Sequence, residues 1–256
     1  MTLLADKVVL VSGGTQGVGA GIVRAAAREG ARVAFTGRRP DAGDKLVEEL
    51  GTDVASYVQA DLADPEQALG SVREVVRRLG RVDCLVNSAG LTTRGTLLDT
   101  TPAFFDAQIA INLRAPFFTM QGAVADMVGR GAPGTIVNII SMAAHGGQPY
   151  LSPYSAAKAG LAGLTRNAAF AHRWDRVRIN GLNIGWTQTE GEDAIQRRFR
   201  DADDGWLDQA AQKLPMGKLG QVDEIADFVV FLLSDRSGVV TGSILDWDQV
   251  VIGPYD

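Results

Sequence analysis

Cysteine and histidine are nearly absent from this sequence. Its 256 residues include one Cys and two His, so no disulfide can form within the chain and too few soft ligands are present for a zinc site. We therefore predict that no metal is bound. The single thiol, Cys84, is expected to pack inside a strand as a small apolar side chain.

Long apolar runs and an excess of positive charge are also missing. No run of apolar residues approaches the length that spans a bilayer, and Asp6 and Lys7 come too early for a secretion signal. The formal net charge is −5, which argues against nucleic acid or an anionic membrane as the main partner. The expectation is a cytoplasmic protein that acts on a small molecule.

The sequence does contain a regular alternation of strand-like and helical patterns. One amphipathic stretch, for example, begins at Asp64-Pro65 and closes at Gly80. Repeated alternation of this kind predicts parallel strands joined by right-handed helical crossovers. We predict one α/β domain over residues 1–256, a Rossmann-type doubly wound parallel sheet of about seven strands with helices on both faces. The predicted strands are residues 8–11, 32–36, 54–59, 84–87, 135–140, 178–183 and 243–247.

A glycine-rich turn follows the first predicted strand. It reads Ser12-Gly13-Gly-Thr-Gln-Gly17-Val-Gly19 and opens an amphipathic helix that ends at Gly30. The spacing alone is weak evidence, since a chain with 30 Gly contains such a pattern about 0.4 times by chance. Its position between a buried strand and a helix favours a dinucleotide-binding turn over an ordinary tight turn.

A phenol and an ammonium lie one helical turn apart in the segment Tyr154-Ser-Ala-Ala-Lys158. Residues four apart on a helix are neighbours, so we expect the charge of Lys158 to lower the pKa of Tyr154 from its usual value of about 10. Such a tyrosine can exchange a proton with a carbonyl oxygen while a hydride moves at the carbon. Ser141 follows the fifth predicted strand, where it can donate a hydrogen bond to the same oxygen.

In this order the motifs resemble the short-chain dehydrogenase/reductase family over nearly the full length of the chain. The resemblance implies a catalytic tetrad of Asn112, Ser141, Tyr154 and Lys158, with Lys158 also bound to the nicotinamide ribose. Asp61 matches the position that touches adenine. The implied cofactor contacts are Ser12, Gly13, Thr15, Gln16, Gly17, Val18, Gly19, Arg38, Arg39, Asp61, Leu62, Asn87, Ala89, Gly90, Tyr154, Lys158, Ile184, Thr187 and Thr189.

The backbone around Asn112 carries a separate expectation. Pro116 has no N–H, so the carbonyl of Asn112 loses the partner that a continuing α-helix would supply. In the family, the main chain of this asparagine holds a water within a proton relay to the lysine. We therefore expect Pro116 to free an acceptor, and a merely kinked helix is the alternative.

The residues after the second predicted strand bear on the choice of cofactor. NAD-preferring enzymes place an acidic residue near this strand end to bind the ribose 2′-hydroxyl, but here Gly37 is followed by Arg38 and Arg39. A guanidinium forks well onto a phosphate, so NADP(H) is favoured, with NAD(H) and two solvated loop arginines as the alternative. Gln16 weakens the preference, because many NADP-dependent relatives carry a basic residue at that place.

Two stretches depart from the family's pattern. Ile184-Gly185 stands where the family has Pro-Gly, so the turn after the sixth strand is expected to be less rigid, although Thr189 can still contact the cofactor. Near the C-terminus, Trp-Asp-Gln at 247–249 replaces the usual Gly-Gly pair. Tight subunit packing is the first hypothesis for these three residues.

An irregular, charged stretch with a helical pattern occupies residues 186–215, beyond the carboxyl end of a predicted strand. Ligands bind at that edge of such sheets, so we predict a substrate lid there, with a solvated pair of surface helices as the alternative. For His145, a structural partner is the alternative to a substrate contact. The candidate substrate contacts are Ser141, His145, Gln148, Tyr154 and Trp186, with Tyr150, Leu151, Phe199 and Trp206 as further lining residues.

The leading hypothesis is an NADP(H)-dependent carbonyl reductase or alcohol dehydrogenase with Tyr154 as general acid and base. A non-catalytic dinucleotide sensor or scaffold is one alternative. Another chemistry on the same fold, such as epimerisation or dehydration, is a second, which the length of 256 residues disfavours. In the family the helices that carry Asn112 and Tyr154 form dimer faces, so the resemblance also implies a homotetramer or homodimer.

Overall fold

The computed structural model describes residues 2–200 and 202–253, and seven strands within them form one all-parallel sheet. Across the sheet the strands follow the order 3-2-1-4-5-6-7. Each predicted strand is present, with its ends within one residue of the predicted ones, and the Rossmann-type α/β prediction is confirmed. The strands are β1 (Val8–Ser12), β2 (Arg32–Gly37), β3 (Ala55–Gln59), β4 (Cys84–Asn87), β5 (Gly134–Ile139), β6 (Val177–Ile184) and β7 (Ile244–Trp247).

Helices connect these strands, and their ends follow cues in the sequence. The helix predicted after Asp64 spans Pro65–Leu79, and the Asp64 carboxylate accepts a hydrogen bond from the Glu66 N–H at its start. Shorter turns are a π-helical turn at Ala110–Arg114 and 3₁₀ turns at Met142–His145 and Asp235–Ser237. The α-helices are α1 (Gly17–Arg28), α2 (Pro40–Leu50), α3 (Pro65–Leu79), α4 (Pro102–Ile109), α5 (Ala115–Gly129), α6 (Ser152–His172), α7 (Glu190–Arg200), α8 (Trp206–Ala211) and α9 (Val222–Leu233).

Alternate residues of the central strands contribute to two separate cores. Val9 and Val11 of β1 pack with α1 and α9 on one face of the sheet, whereas Val8 and Leu10 pack with α3 and α5 on the other. Because helices cover both faces, β1, β4 and β5 are buried at every residue. Cys84 lies buried in β4, as predicted.

The strand order fixes the position of the main crevice. From β3, at one edge of the sheet, the chain crosses through α3 to β4, which pairs with the other side of β1. The connections from β1 and β4 therefore leave in opposite directions, and a crevice opens between their carboxyl ends. Ser12 ends β1 and Asn87 ends β4, and the two residues are register partners at this point.

The insertion between β6 and α9 has a small apolar core of its own. Trp206 packs with Ala210 and Leu219, and the ring of Trp186 lies 6.1 Å from that of Trp206 between centroids. Each indole N–H donates to a carboxylate of α7, Trp186 to Glu192 and Trp206 to Asp193, both at 2.7 Å. The helical stretch of the insertion is thus α7 and α8, joined by the packing of the two tryptophans and by partly buried hydrogen bonds.

Candidate active site

The glycine turn between β1 and α1 closes very tightly. A Cβ added to Gly13 would lie 2.6 Å from the Ala89 Cα, and one added to Gly19 would lie 2.1 Å from the Gly13 carbonyl oxygen. Hydrogen bonds to Thr36 of β2, from Gly13 N to the hydroxyl at 3.1 Å and from Gly14 N to the carbonyl at 2.9 Å, fix the turn. A bare backbone loop at a helix N-terminus fits the pyrophosphate of a dinucleotide.

Two arginines stand at the carboxyl end of β2, next to this turn. Arg38 and Arg39 are exposed, and the Arg39 guanidinium donates to the Gln16 side-chain oxygen across the crevice. Within the described residues neither guanidinium has an ion-pair partner. Gln16, which weakens the preference for NADP at the level of sequence, therefore holds one of these arginines beside the turn.

A chain of buried polar side chains crosses the sheet below the crevice. The Ser12 hydroxyl donates to the Asn87 side-chain oxygen at 3.3 Å, Asn87 donates to Asn138 at 2.8 Å, and Asn138 donates to the Thr165 hydroxyl at 2.9 Å. Thr119 adds a second donor to Asn87 at 2.6 Å. We call Ser12, Asn87, Asn138 and Thr165 the polar ladder. It joins the strand before the glycine turn to α6, and sequence reasoning found only its first two members.

Two residues of the predicted tetrad lie on α6 and face the sheet. Tyr154 is 8% exposed and Lys158 4% exposed, and the Lys158 ammonium lies 5.7 Å from the centre of the Tyr154 ring. The ammonium donates to the carbonyl of Ile139, at the end of β5, at 2.8 Å. Ser141 follows that strand and hydrogen-bonds to Tyr154. The structure thus brings Ser141, Tyr154 and Lys158 to one edge of the sheet.

The pKa values of Tyr154 and Lys158 correct one expectation. Burial raises the pKa of Tyr154 to about 12, the hydrogen bond with Ser141 opposes the rise, and the charge of Glu192 adds to it. Burial also lowers the pKa of Lys158 to about 8. The prediction that Lys158 lowers the pKa of Tyr154 is therefore wrong for this arrangement, because removal from water outweighs an ammonium that is directed at a backbone carbonyl.

We expect Lys158→Met to remove a pH dependence from the free energy of unfolding. The folded pKa of about 8 lies below the usual lysine value of 10.5, so the unfolded wild-type chain binds more protons between these two values, and the free energy of unfolding of the wild type increases as pH rises through this window. Groups remote from Lys158 titrate alike in both proteins and cancel in the difference. Urea unfolding at several pH values from about 7.5 to about 10.5 measures it. A stability difference between the two proteins that does not change with pH would contradict the prediction.

Asn112 lies in the π-helical turn and is fully buried. Its side chain clamps the loop after β4, accepting from Leu91 N at 3.1 Å and donating to Leu91 O at 3.0 Å and to the Gln108 side-chain oxygen at 2.8 Å. Pro116 is the second residue of α5, so it cannot donate to the Asn112 carbonyl. A π-helical turn, often found at functional sites, stands where the sequence predicts a disturbed helix. The water relay through this carbonyl stays a prediction.

The His145 side chain, four residues after Ser141, is held by two other side chains of the chain. Its Nε2 lies 3.0 Å from the Asp246 carboxylate and 3.1 Å from the Asn183 amide nitrogen. Burial alone would raise the pKa of Asp246, but hydrogen bonds from His145 and Asn183 bring it below its usual value. These contacts tie the turn after Ser141 to β6 and β7. They match the structural alternative for His145, whereas Gln148 is exposed nearby.

The residues that depart from the family's pattern at 247–249 fasten the chain that leaves the insertion. The Trp247 ring packs against Gly220, and Asp248 lies against Gly185. Gln249 accepts from Met216 N at 2.7 Å and donates to Lys218 O at 2.8 Å. These residues thus have contacts within one chain, and their role in subunit packing stays a prediction.

The remaining cofactor candidates lie around the same crevice. Thr189 lies across from Gly17 and caps α7 by accepting from Glu192 N at 3.0 Å. Thr187 is buried and donates to the Gly185 carbonyl at 2.9 Å. Their contacts with a cofactor stay predictions, as do those of the other residues, namely Thr15, Val18, Asp61, Leu62, Ala89, Gly90 and Ile184. Among the described residues, no group of three or more His, Cys, Asp or Glu could hold a metal and no helix is long and apolar enough to cross a membrane.

Comparison with known proteins adds the following similarities. A family model described as enoyl-(acyl carrier protein) reductase matches residues 13–249. A trans-4-hydroxycyclohexanecarboxylate dehydrogenase from Sinomonas cyclohexanicum is 33% identical over 253 residues, 96% of this chain and 92% of the relative. An NADP-dependent (R)-specific alcohol dehydrogenase from Lentilactobacillus kefiri is 32% identical over 257 residues, 98% of this chain and 97% of the relative. A solved structure of a short chain dehydrogenase/reductase family protein is 37% identical with a TM-score of 0.82 and covers 95% of this chain and 96% of that one.

Proposed function

The chain belongs to the short-chain dehydrogenase/reductase family of oxidoreductases, which act on alcohol and carbonyl substrates, and from this we propose that it interconverts a ketone and a secondary alcohol with NADP(H). The observation that carries the proposal is the buried Tyr154 phenol, which hydrogen-bonds to Ser141. Both residues lie at the carboxyl ends of the strands, where the glycine turn also lies. A catalytic proton donor and a dinucleotide cradle at one crevice are the two parts that hydride transfer to a carbonyl requires.

Each tetrad residue has a distinct task in this proposal. When bound, the nicotinamide cofactor supplies or accepts the hydride. Tyr154 is a phenol at neutral pH, since burial raises its pKa to about 12, so it is ready to donate a proton to the oxygen of a ketone. Ser141 donates a second hydrogen bond to that oxygen. Lys158 binds the nicotinamide ribose, and the Asn112 carbonyl holds a water that passes the proton onward.

The raised pKa of Tyr154 determines which form of this residue each direction of the reaction would start from. Alcohol oxidation needs the phenolate as base, and burial disfavours this form. Ketone reduction needs only the phenol. If ligand binding turned the Lys158 ammonium from the Ile139 carbonyl toward Tyr154, its charge would lower the pKa of Tyr154. The phenolate would then be available as the base for alcohol oxidation.

The relatives define the substrates to be tested. One is named for trans-4-hydroxycyclohexanecarboxylate and another for NADP and (R)-alcohols. Absorbance of the nicotinamide would be followed with cyclohexanone, 4-oxocyclohexanecarboxylate, its methyl ester and acetophenone. Turnover of any of these with cofactor consumption supports the proposal. Cofactor binding without turnover would instead favour the non-catalytic sensor, and no binding at all would refute both.

The cofactor preference gives a further prediction. We expect the double variant Arg38→Ala/Arg39→Ala to lose about ten- to hundredfold in kcat/KM for NADPH, the worth of charge-assisted hydrogen bonds to a phosphate, and much less for NADH. Arg32→Ala is the matched control, because Arg32 is an exposed arginine at the other end of β2. An equal loss with both cofactors would show that these arginines do not recognise the 2′-phosphate.

We further propose a homotetramer or homodimer that works in the cytoplasm. An apolar hollow on the face that joins the π-helical turn and α5 to α6 supports a subunit contact there, and Phe117 at its edge is 45% exposed. Residues lining the hollow are Ile109, Leu113, Arg114, Phe117, Phe118 and Leu164. In the same proposal α7 and α8 form the lid over the substrate.

A further inference from the structure

Arg94 lies in the loop between β4 and α4, at the substrate end of the crevice. This loop is fastened to the chain just before α6. Gly95 N donates to the Tyr150 carbonyl at 2.9 Å and Ser152 N donates to the Gly95 carbonyl at 3.1 Å, so that Gly95 and Leu151 pair as a short parallel bridge. Because Tyr154 is in the first turn of α6, the backbone of Arg94 is fixed close to the catalytic phenol.

Two aromatic rings flank the guanidinium of Arg94. Its Cζ lies 4.9 Å from the centre of the Tyr150 ring and 5.8 Å from that of Phe199. Tyr150 precedes α6, whereas Phe199 is on α7, so the cation connects the fixed side of the crevice to the proposed lid. Ring faces attract a cation but do not engage its N–H donors as a hydrogen-bond acceptor would.

Among the described residues, none accepts a hydrogen bond from Arg94. In the part of the chain that the structure describes, this half-buried guanidinium has neither an ion pair nor a side-chain hydrogen bond. Arg197 on the lid surface is different, since it is held by Asp193 at 2.8 Å and by Asp204 at 3.0 Å. A guanidinium that lies beside aromatic rings, with no acceptor among the described residues for its planar fork of donors, is arranged to receive an anion.

We propose that Arg94 binds a carboxylate of the substrate and makes this site selective for ketones and alcohols that carry an acidic group. The inference rests on the proposed function and adds its substrate class. The rings of Tyr150 and Phe199 would cover the apolar part of such a substrate next to its carboxylate. With a net charge of −5 on the chain, an acidic substrate needs a local cation to enter the crevice.

The test compares one acid with its neutral counterpart. Steady-state kinetics with NADPH would use 4-oxocyclohexanecarboxylate and its methyl ester on the wild type, Arg94→Gln and Arg198→Gln. Arg198 is the matched control because its guanidinium also lies over the Phe199 ring, at 5.2 Å, but it is exposed on the lid. We expect the wild type to prefer the acid, through KM, and Arg94→Gln to reduce the acid-to-ester ratio of kcat/KM by about ten- to hundredfold. Arg198→Gln should keep the wild-type ratio.

Binding provides a readout that does not need turnover. Cyclohexanecarboxylate, which has no ketone, should bind to the wild-type protein saturated with NADPH and bind much more weakly to Arg94→Gln, as measured by calorimetry. An unchanged acid-to-ester ratio, or an equal loss for both ketones, would overturn the inference and leave Arg94 as a clamp between two rings. If no ketone turns over, the proposed function fails, and the binding of cyclohexanecarboxylate then decides the role of Arg94 alone.

Discussion

Replacing Tyr154 by phenylalanine is expected to lower kcat for ketone reduction by about 10²- to 10⁴-fold, the usual contribution of a positioned general acid. The side chain keeps its buried ring and loses only the hydroxyl that hydrogen-bonds to Ser141. Cofactor affinity should stay close to wild type, because the glycine turn and the arginines after β2 are untouched. Stopped-flow measurement of hydride transfer, together with titration of NADPH, separates the two quantities.

Tyr57→Phe is the matched control for this variant. The Tyr57 hydroxyl is also partly buried and donates to the Gly37 carbonyl at 2.7 Å, at the opposite side of the glycine turn. Its removal should leave most of kcat intact. If Tyr154→Phe kept more than about a tenth of wild-type kcat, Tyr154 could not be the general acid.

Replacing Gly19 by alanine should weaken NADPH binding by about ten- to hundredfold, the worth of one hydrogen bond to a charged group. The new Cβ would lie 2.1 Å from the Gly13 carbonyl oxygen, and this neighbour is backbone that cannot rotate away. The turn must open, which moves the N–H groups at the start of α1 away from the pyrophosphate position. Calorimetric titration of NADPH measures the loss.

A second glycine shows whether the effect is local. Gly129 ends α5, and a Cβ there would meet nothing within 4 Å. Gly129→Ala should bind NADPH as the wild type does and raise the free energy of unfolding by about 0.5–1 kcal/mol, the difference in helix propensity between the two residues. Wild-type affinity in Gly19→Ala would mean that this turn does not hold the cofactor.

Much of the fold could be predicted because its signals are local. A strand such as β1 is buried on both faces and so reads as a short continuous apolar run, and the turn glycines mark where it ends. The helix after Asp64 has its start and stop residues within the same stretch. The placement of Ser141, Tyr154 and Lys158 at one edge follows from the fact that parallel strands end together.

The features that sequence reasoning missed depend on contacts between distant parts of the chain. The direction of the Lys158 ammonium and the raised pKa of Tyr154 follow from how deeply α6 packs against the sheet, which periodicity does not report. Gln249 pairs with backbone groups more than 30 residues away. No sequence motif marks Arg94, because the rings beside it belong to distant residues, Tyr150 and Phe199 of α7.

The polar ladder has a consequence for how this protein can change over generations. Asn138 donates to Thr165 and accepts from Asn87, so its single replacement by an apolar residue would leave the Asn87 amide without its acceptor in the interior, although Thr165 keeps its bond to the Leu161 carbonyl. A chain with only one of these positions replaced is therefore expected to be less stable than a chain with none or all of them replaced. Homologous chains are therefore expected to keep these positions or to exchange them together, so that covariation among them would trace the link between the strand before the glycine turn and α6.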